Sequence, residues 1–366
     1  MPKQDLKKLR EQIDTIDNRI LELLNQRATV VIAVGKAKQG SEASSFYVPS
    51  REKAIYDRLC ALNQGPFPNE AVVKVFREII SASLNMEMPM QVAFLGPQST
   101  FTHMAALQQF GLSAQLVPLK SIPSVFEEVE RGRAHYGVVP VENSTEGVVN
   151  HTLDMFISSE LQVIAEIMLE ISHNLLSMTS NPEQISKIVS HPQPLAQCRH
   201  WLEANMPDVP LVDVSSTAAA AQLAAEDESV AAIASAAAAV QYGLQVVKAK
   251  IEDNPNNFTR FLVIGRKTPE KSGHDKTSIM FSVKDQPGIL YRMLEPFSKR
   301  QINLAKIESR PMKQKAWEYI FFLDMIGHID DQPIAAAIDE LRGNCHFLKV
   351  LGSYPIARQD NSAGEK

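Results

Sequence analysis

Cysteine is scarce in this chain: three in 366 residues, at Cys60, Cys198 and Cys345, far apart. They form no CxxC pair and no metal-ligand spacing. So sparse and odd a set fits a reducing compartment, and predicts a cytoplasmic protein. His173, His191 and His200 lack a ligand spacing such as HxxxH, so no metal is expected. The glycine patterns GxGxxG and GxxxxGK(S/T) are missing, so neither a dinucleotide nor a nucleoside triphosphate is indicated and no cofactor is expected. No uninterrupted apolar run can span a bilayer. The opening segment MPKQDLKKLREQIDTID is too charged for the apolar region of a signal peptide. The alanine-rich stretch from Thr217 to Ala239 is broken by Gln222, Glu226, Asp227 and Glu228, and reads as soluble helices. There is no polybasic block, and a net charge of −5 argues against a general nucleic-acid binder. No membrane and no nucleic-acid partner is expected.

What is present is an ordinary soluble composition, 45% hydrophobic and 22% charged, in a chain long enough for two or three domains. Residues 5–38 carry one long helical pattern, with apolar residues at Leu6, Leu9, Ile13, Ile16, Ile20 and Leu23 in alternating steps of three and four. A second helix is predicted from Arg51 to Leu62 and a third from Asn69 to Met86. They are separated by a loop at Gly40, Ser41, Ser44 and Ser45 and by Gly65, Pro66 and Pro68. From Gln91 the character changes. Short apolar runs, VAFL, YGVVPV, LQVIAEIML, SKIVS and VAAIAS, alternate with helical stretches, which marks α/β organisation. After the polar linker KTPEKSGHDK the order becomes βαββαβ, a ferredoxin-like unit, and the tail from Arg358 is expected to be disordered.

Several polar residues sit where packing wants aliphatic ones. Stepping by sevens from Leu6 gives Ile13, Ile20, Arg27 and Val34, with Arg27 the exception. Lys38 falls about 20° away around the helix at about 100° per residue, and Arg10 borders the same face. In the third helix the stripe Phe76, Ile80 continues to Ser83 and Glu87. Any one of these reads as a snorkelling or frayed side chain. Together they suggest a buried polar pocket whose cations call for an anionic ligand, plausibly a dicarboxylate.

At this point a resemblance takes hold. LREQID, DNRILELLNQR, VGKAK, RE, then S and E, resemble the all-helical type of chorismate mutase over residues 1–90. The resemblance implies three helices that intertwine with those of a second chain, hence a homodimer. It implies a clamp on the carboxylates of chorismate by Arg27, Arg51 and Lys38, with Arg10 reaching into the partner's site. Glu52 is implied to receive the substrate hydroxyl, and Ser83 and Glu87 to complete the pocket. Lys38 and Glu87 are the implied donors to the breaking ether oxygen. Val48 stands where some members carry an acid, and Glu87 where several carry Gln.

Five patches, GPQSTFTH, VPVENSTEG, VSST, SHPQPLAQC and NNFTRF, put hydroxyl and amide side chains at the ends of apolar runs, where α/β sheets bind ligands. Singly each reads as a helix cap or a turn. As a set, over residues 91–268, they resemble prephenate dehydratase. This implies two α/β lobes around a cleft, like a solute-binding protein, and loss of water and carbon dioxide from prephenate to give phenylpyruvate. Thr259 is implied to deliver the proton, and Arg260 to be either a carboxylate partner or a brace. Glu142, Asn143, Ser144, Thr145, His191, Gln197, Ser215, Thr217, Asn257 and Phe258 are implied to line the cleft. Ser99 departs from a common Gly, and Ser fits if φ there stays negative.

DQPGIL followed by ESRP, over residues 275–357, resembles the ACT regulatory domain of such bifunctional enzymes. It implies an L-phenylalanine site at a dimer interface, around Pro287, Gly288, Ile289 and Leu290, Asn303 and Leu304, and Glu308, Ser309, Arg310 and Pro311. A chain ending near Lys271 is then expected to keep dehydratase activity and lose its inhibition. Dehydration of arogenate, or a non-catalytic amino-acid sensor, are the other readings left open.

Overall fold

A computed structural model of the chain describes residues 6–38, 47–283, 286–311 and 319–357. The serine loop after Lys38 and the expected disordered tail lie outside them. The chain divides into two compact units, Met1–Met90 with Phe110–Gln115, and Gln91–Gln109 with Leu116–Lys366.

The first unit is built on α1 (Leu6–Lys38), α2 (Pro49–Leu62) and α3 (Asn69–Glu87). Pro49 opens α2, where its missing N–H costs nothing, and the Val48 carbonyl takes the N–H groups of Arg51 and Glu52. The end of α1 lies on α3: a Cβ on Gly35 would stand 3.2 Å from Glu87 Cγ. The apolar seam of α1 is the reverse of buried. Leu6, Ile13, Ile16, Ile20 and Leu23 are all at least half exposed. Gly111 has φ +70° and lies so close to α3 that a Cβ would come within 2.5 Å of Ser81 Cβ, which excludes any other residue there.

The second unit begins with β1 (Gln91–Leu95), α4 (Phe101–Phe110), β2 (Gln115–Leu119), α5 (Ile122–Glu130), β3 (Tyr136–Asn143), β4 (Gly147–Val148), α6 (Asn150–Ser158) and β5 (Gln162–Glu170). The chain then builds a second sheet from β6 (Asn174–Ser177), β7 (Lys187–Ser190), β8 (Leu211–Asp213), β9 (Val230–Ala234) and β10 (Gln245–Lys248), with α7 (Pro192–Gln197), α8 (Arg199–Asn205), α9 (Thr217–Glu226) and α10 (Ala236–Tyr242) between them. It returns through β11 (Phe258–Gly265) to the middle of the first sheet, giving the orders β2-β1-β3-β11-β5, with β4 on β3, and β10-β6-β9-β7-β8. Two α/β sheets joined by two crossings make the expected two lobes.

The alanine-rich stretch is helical only at its two ends. Its middle, the apolar run VAAIAS, is β9, wholly buried between β6 and β7. Small side chains there let α9 and α10 pack close over the sheet, and burial on both faces removes the alternation that marks a strand.

The ferredoxin-like order is observed: β12 (Asp275–Val283), α11 (Ile289–Lys299), β13 (Leu304–Pro311), β14 (Tyr319–Ile326), α12 (Gln332–Arg342) and β15 (Phe347–Pro355), in the antiparallel order β13-β14-β12-β15. Its outer face does not stop at the linker. Met280, Ile320, Phe322, Leu351 and Tyr354 belong to one core with Phe126, Val141, Phe156, Val163 and Leu262. Gly352 permits this approach, since a Cβ there would strike the Val163 carbonyl. Among the described residues no helix is long and apolar enough to cross a membrane.

Candidate active sites

In the helical unit, Arg27 of α1 reaches α3, where its Nη1 donates to Ser83 Oγ. Ser83 is buried and passes its own proton to the Ile79 carbonyl at 2.6 Å. Burial lowers the pKa of the Arg27 guanidinium, and attraction to Glu87 offsets part of that. The predicted trio Arg27, Ser83 and Glu87 is therefore brought together. Glu52 lies on α2 with its side chain half-buried. Burial pushes its carboxyl up to about 8, against the opposing pull of Arg77 and a hydrogen bond from Tyr56. Neither Arg77 nor Tyr56 stood out in sequence, because each falls on a helix face that packing alone explains. Arg10 and Arg51 are exposed. Arg10 is about 25 Å from Arg27 along a straight helix, so one chain cannot bring both to one ligand. Lys38 is the last residue of α1, and its side chain lies outside the described ones.

In the two-lobed part, β3 and β11 are antiparallel with Asn143 opposite Thr259 and Glu142 opposite Arg260. Asn143 Nδ2 donates to Thr259 Oγ1 and to Asn257 Oδ1, each at 2.8 Å. Its Oδ1 accepts the backbone N–H groups of Thr145 at 2.9 Å and Glu146 at 3.0 Å. Every polar atom of this buried amide is thus assigned, which fixes its orientation. Asn257 Nδ2 donates to Gln197 Oε1 at 3.2 Å, and Gln197 Nε2 donates to Glu146 Oε1 at 3.2 Å. The network so ties α7 of one lobe to β3 and β11 of the other.

His173 was missed as a site residue. Its Nε2 lies 2.7 Å from Gln197 Oε1, and burial lowers its pKa, which favours the neutral ring. Facing a carbonyl-type oxygen, Nε2 carries the proton and donates, leaving buried Nδ1 as an acceptor with no partner among the described residues. The sequence signal was only a histidine closing an apolar run.

The remaining predicted residues divide. Ser144 brackets the same turn, accepting the Phe258 N–H at 2.9 Å and donating to the Asn256 carbonyl at 3.1 Å. Thr145 is exposed and Phe258 half-buried beside it. His191 caps α7 by accepting the Gln193 N–H at 3.3 Å. Thr217 is buried in the first turn of α9, Ser215 is exposed, and the cap of that helix is Ser216, accepting the Ala219 N–H at 3.0 Å.

Ser99 is a correction. Its φ is +64°, in the left-handed region that the sequence reading excluded for serine. The backbone holds it there: its N–H donates to His103 Nδ1 at 3.1 Å and its carbonyl accepts Ser235 Oγ at 3.3 Å.

Arg260 has the geometry of the brace. Its Nε donates to Glu166 at 2.8 Å, Nη1 to Asp324 at 2.6 Å and Nη2 to the Tyr354 hydroxyl at 2.9 Å. These engage each of the three nitrogens of the buried guanidinium. Glu142, expected in the cleft, forms an ion pair at 2.7 Å with Lys306 of β13.

At the ferredoxin-like end, Gly288 has φ +75° and stands at the N-terminus of α11, where it offers no side-chain cap, and the Ile289 N–H donates to the Gln286 carbonyl at 3.1 Å. Pro287 and Leu290 are exposed there and Ile289 is half-buried. Asn303 precedes β13, whose residues alternate half-buried and exposed from Leu304 to Pro311. Glu308 and Ser309 follow that alternation, but Arg310 turns to α6, where Nη1 donates to Asp154 at 2.6 Å and to the Asn150 carbonyl at 2.7 Å. Asp285 of the first motif lies outside the described residues.

Comparison with known proteins agrees along the whole chain. Family models for chorismate mutase type II, prephenate dehydratase and the ACT domain match residues 9–88, 92–269 and 277–343. The bifunctional chorismate mutase/prephenate dehydratase of Aquifex aeolicus is 50% identical over 358 residues, 97% of this chain and 99% of its own length. That of Pseudomonas aeruginosa is 44% identical over 363 residues, 98% and 100%. A structure of prephenate dehydratase in complex with L-Phe from Arthrobacter aurescens matches with a TM-score of 0.68 at 36% identity, over 75% of this chain and 92% of that one.

Proposed function

The chain belongs to the family of bifunctional chorismate mutase/prephenate dehydratases, and from that membership we propose how its residues divide the work. It is an enzyme of phenylalanine biosynthesis. Chorismate is rearranged to prephenate in the helical unit, and prephenate is dehydrated and decarboxylated to phenylpyruvate in the cleft.

In the mutase step nothing covalent passes through the protein. Arg27, Arg51 and Lys38 grip the two carboxylates, Ser83 fixes Arg27, and Glu52 takes the substrate hydroxyl. Lys38 and Glu87 meet the charge that grows on the ether oxygen. The exposed seam of α1 is covered by the same helix of a second copy, which brings Arg10 into the partner's site and makes the enzyme a homodimer. An amphipathic helix of this length with a bare apolar stripe supports that reading.

In the dehydratase step Thr259 delivers the proton to the departing hydroxyl. The observation that carries this is the Asn143–Thr259 bond at 2.8 Å. The threonine oxygen is already an acceptor there, and both Asn143 amide hydrogens are spent, so the Thr259 proton is directed elsewhere, to a ligand in the cleft. Asn257, Gln197 and His173 line the same network. L-Phenylalanine is the feedback inhibitor, held by backbone N–H groups at the start of α11, where the cap residue is a glycine. The bound L-Phe of the Arthrobacter relative supports this. The enzyme works in the cytoplasm, without metal or organic cofactor.

The test is turnover of chorismate with both products followed. Arg27→Ala removes a charged donor and loses mutase activity by on the order of 3 kcal/mol of barrier or more, while dehydration of supplied prephenate continues. Thr259→Ala converts chorismate only as far as prephenate. A wild-type chain that consumes neither chorismate nor prephenate would defeat the reading.

A further inference from the structure

We propose that Lys306, in the regulatory domain, is a positioning residue for dehydration, acting through Glu142 on the Asn143–Thr259 pair. This rests on the reading that Thr259 delivers the proton and that phenylalanine binds the same domain as Lys306.

The argument begins with strand alternation. Asn143 and Thr259 are opposite partners on β3 and β11, and so are their neighbours Glu142 and Arg260. Successive side chains point to opposite faces, so one pair faces the cleft network and the next faces the ferredoxin-like sheet. On the cleft side Asn143 holds the Thr259 hydroxyl. On the other side, both residues of the pair are held by side chains from beyond the linker: Glu142 by the Lys306 ammonium at 2.7 Å, and Arg260 by the Asp324 carboxylate at 2.6 Å and the Tyr354 hydroxyl at 2.9 Å. The back of the catalytic strand pair is therefore fastened to the regulatory domain at adjacent points.

Lys306 is the more telling of these contacts. Its side chain is only 15% exposed, and among the described residues its ammonium makes no hydrogen bond of good geometry, so the ion pair with Glu142 is what compensates it. A charge so removed from water holds its counter-charge firmly. Glu142 cannot follow Lys306 without carrying Asn143, the next residue in the strand. Lys306 also lies inside β13, between Leu304 and Glu308, the two segments proposed to border phenylalanine. A ligand that shifts this strand moves the ammonium, then Glu142, then the amide that aims the Thr259 proton. Asp154 and Arg310 fasten the same strand to α6 one contact further on.

The experiment compares full-length wild type with Lys306→Met and Lys306→Arg. It reads melting temperature, kcat and KM on prephenate, mutase activity, phenylalanine binding by calorimetry and the inhibition at saturating phenylalanine. Lys306→Met is expected to lower kcat about tenfold with KM little changed, because a small misplacement of the proton donor is costly. It should still bind phenylalanine, yet its remaining activity should respond about threefold less or weaker still, as the coupling path is cut. Lys306→Arg restores the ion pair and recovers most of both effects, and mutase activity is unchanged throughout. A Lys306→Met enzyme with wild-type kcat and wild-type inhibition, or one that only melts lower, overturns the proposal. A wild type that binds phenylalanine without losing activity overturns instead the regulatory reading beneath it.

Discussion

The Asn143 amide donates to the Thr259 hydroxyl at 2.8 Å, while its own oxygen is held by two backbone N–H groups. The direction of this bond decides what the threonine can do. Asn143→Asp keeps the shape but replaces the donor by an acceptor. The Thr259 proton then turns toward the new carboxylate and is lost to the substrate. Dehydratase kcat should fall by about 10²-fold or more, as for loss of a positioned acid. Thr259→Ala should fall as far, and Thr259→Ser should retain part of the activity. Prephenate turnover by purified variants measures this, and an unimpaired Asn143→Asp would show that the hydroxyl is not aimed by this amide.

Glu52 gives a pH dependence with a defined sign. Burial raises its carboxyl from the usual 4.5 to about 8 in the folded chain. Between those values the folded state holds a proton that the unfolded state has released. Its contribution to stability is therefore full below about pH 4.5 and is lost as pH rises toward 8. Urea midpoints taken across this range should decline with pH, and Glu52→Gln, which cannot ionise, should make that decline shallower. Equal slopes in the two proteins would place the Glu52 carboxyl in water.

The regulatory domain shares a core and an ion pair with the dehydratase part. A chain ending at Lys271 was expected from sequence to keep dehydratase activity. Such a chain strips Phe322, Leu351 and Tyr354 from a core shared with Phe156, Val163 and Leu262, and leaves Arg260 without Asp324. Exposing that surface and unpairing a buried charge costs several kcal/mol, about 3 or more. Thermal unfolding should show a large drop in Tm, with dehydratase activity lost and the helical unit still melting separately. Full dehydratase activity in the shortened chain would contradict this.

Ser99 carries backbone strain that loss of its side chain relieves. A non-glycine residue at φ +64° costs about 1 kcal/mol or somewhat more. The bonds that hold it there come from its backbone, so Ser99→Gly keeps them. After the greater freedom of unfolded glycine is subtracted, a net gain of about 0.5 kcal/mol is expected. Ser99→Val should destabilise by more than about 1 kcal/mol, since a β-branched side chain is poorly tolerated there. Chemical denaturation of the three proteins ranks them, and glycine falling below serine would mean that the serine side chain contributes more than its strain costs.

Much of the architecture was written locally. The period of three and four in α1, the turn residues around Pro66 and Pro68, and the βαββαβ order after Lys271 each depend on neighbours in sequence, so the elements could be read there. The alanine-rich stretch reads two ways, as soluble helices throughout and as a short apolar run at VAAIAS, because alanine suits both α9 and β9; burial between β6 and β7 makes the middle a strand. Edge strands such as β8, exposed at every residue, carry no apolar period to read.

The sites divide the same way. Sequence by itself determined that Arg27 and Ser83 interrupt apolar stripes, that Thr259 closes a hydroxyl-rich patch, and that a glycine opens α11. Residue type and spacing are local properties, and a charge at a core position is conspicuous wherever it occurs. Only the tertiary structure decided which way each group faces and what it meets. Arg260, read from sequence as either a carboxylate partner or a brace, and Glu142, expected in the cleft, both make ion pairs with the regulatory domain. Asn257, Gln197 and His173 were joined into one network with Asn143 from segments far apart in the chain. The reason is that adjacent residues on a strand look to opposite faces. The motif that names a catalytic threonine thus cannot say that the arginine beside it belongs to another domain's contact.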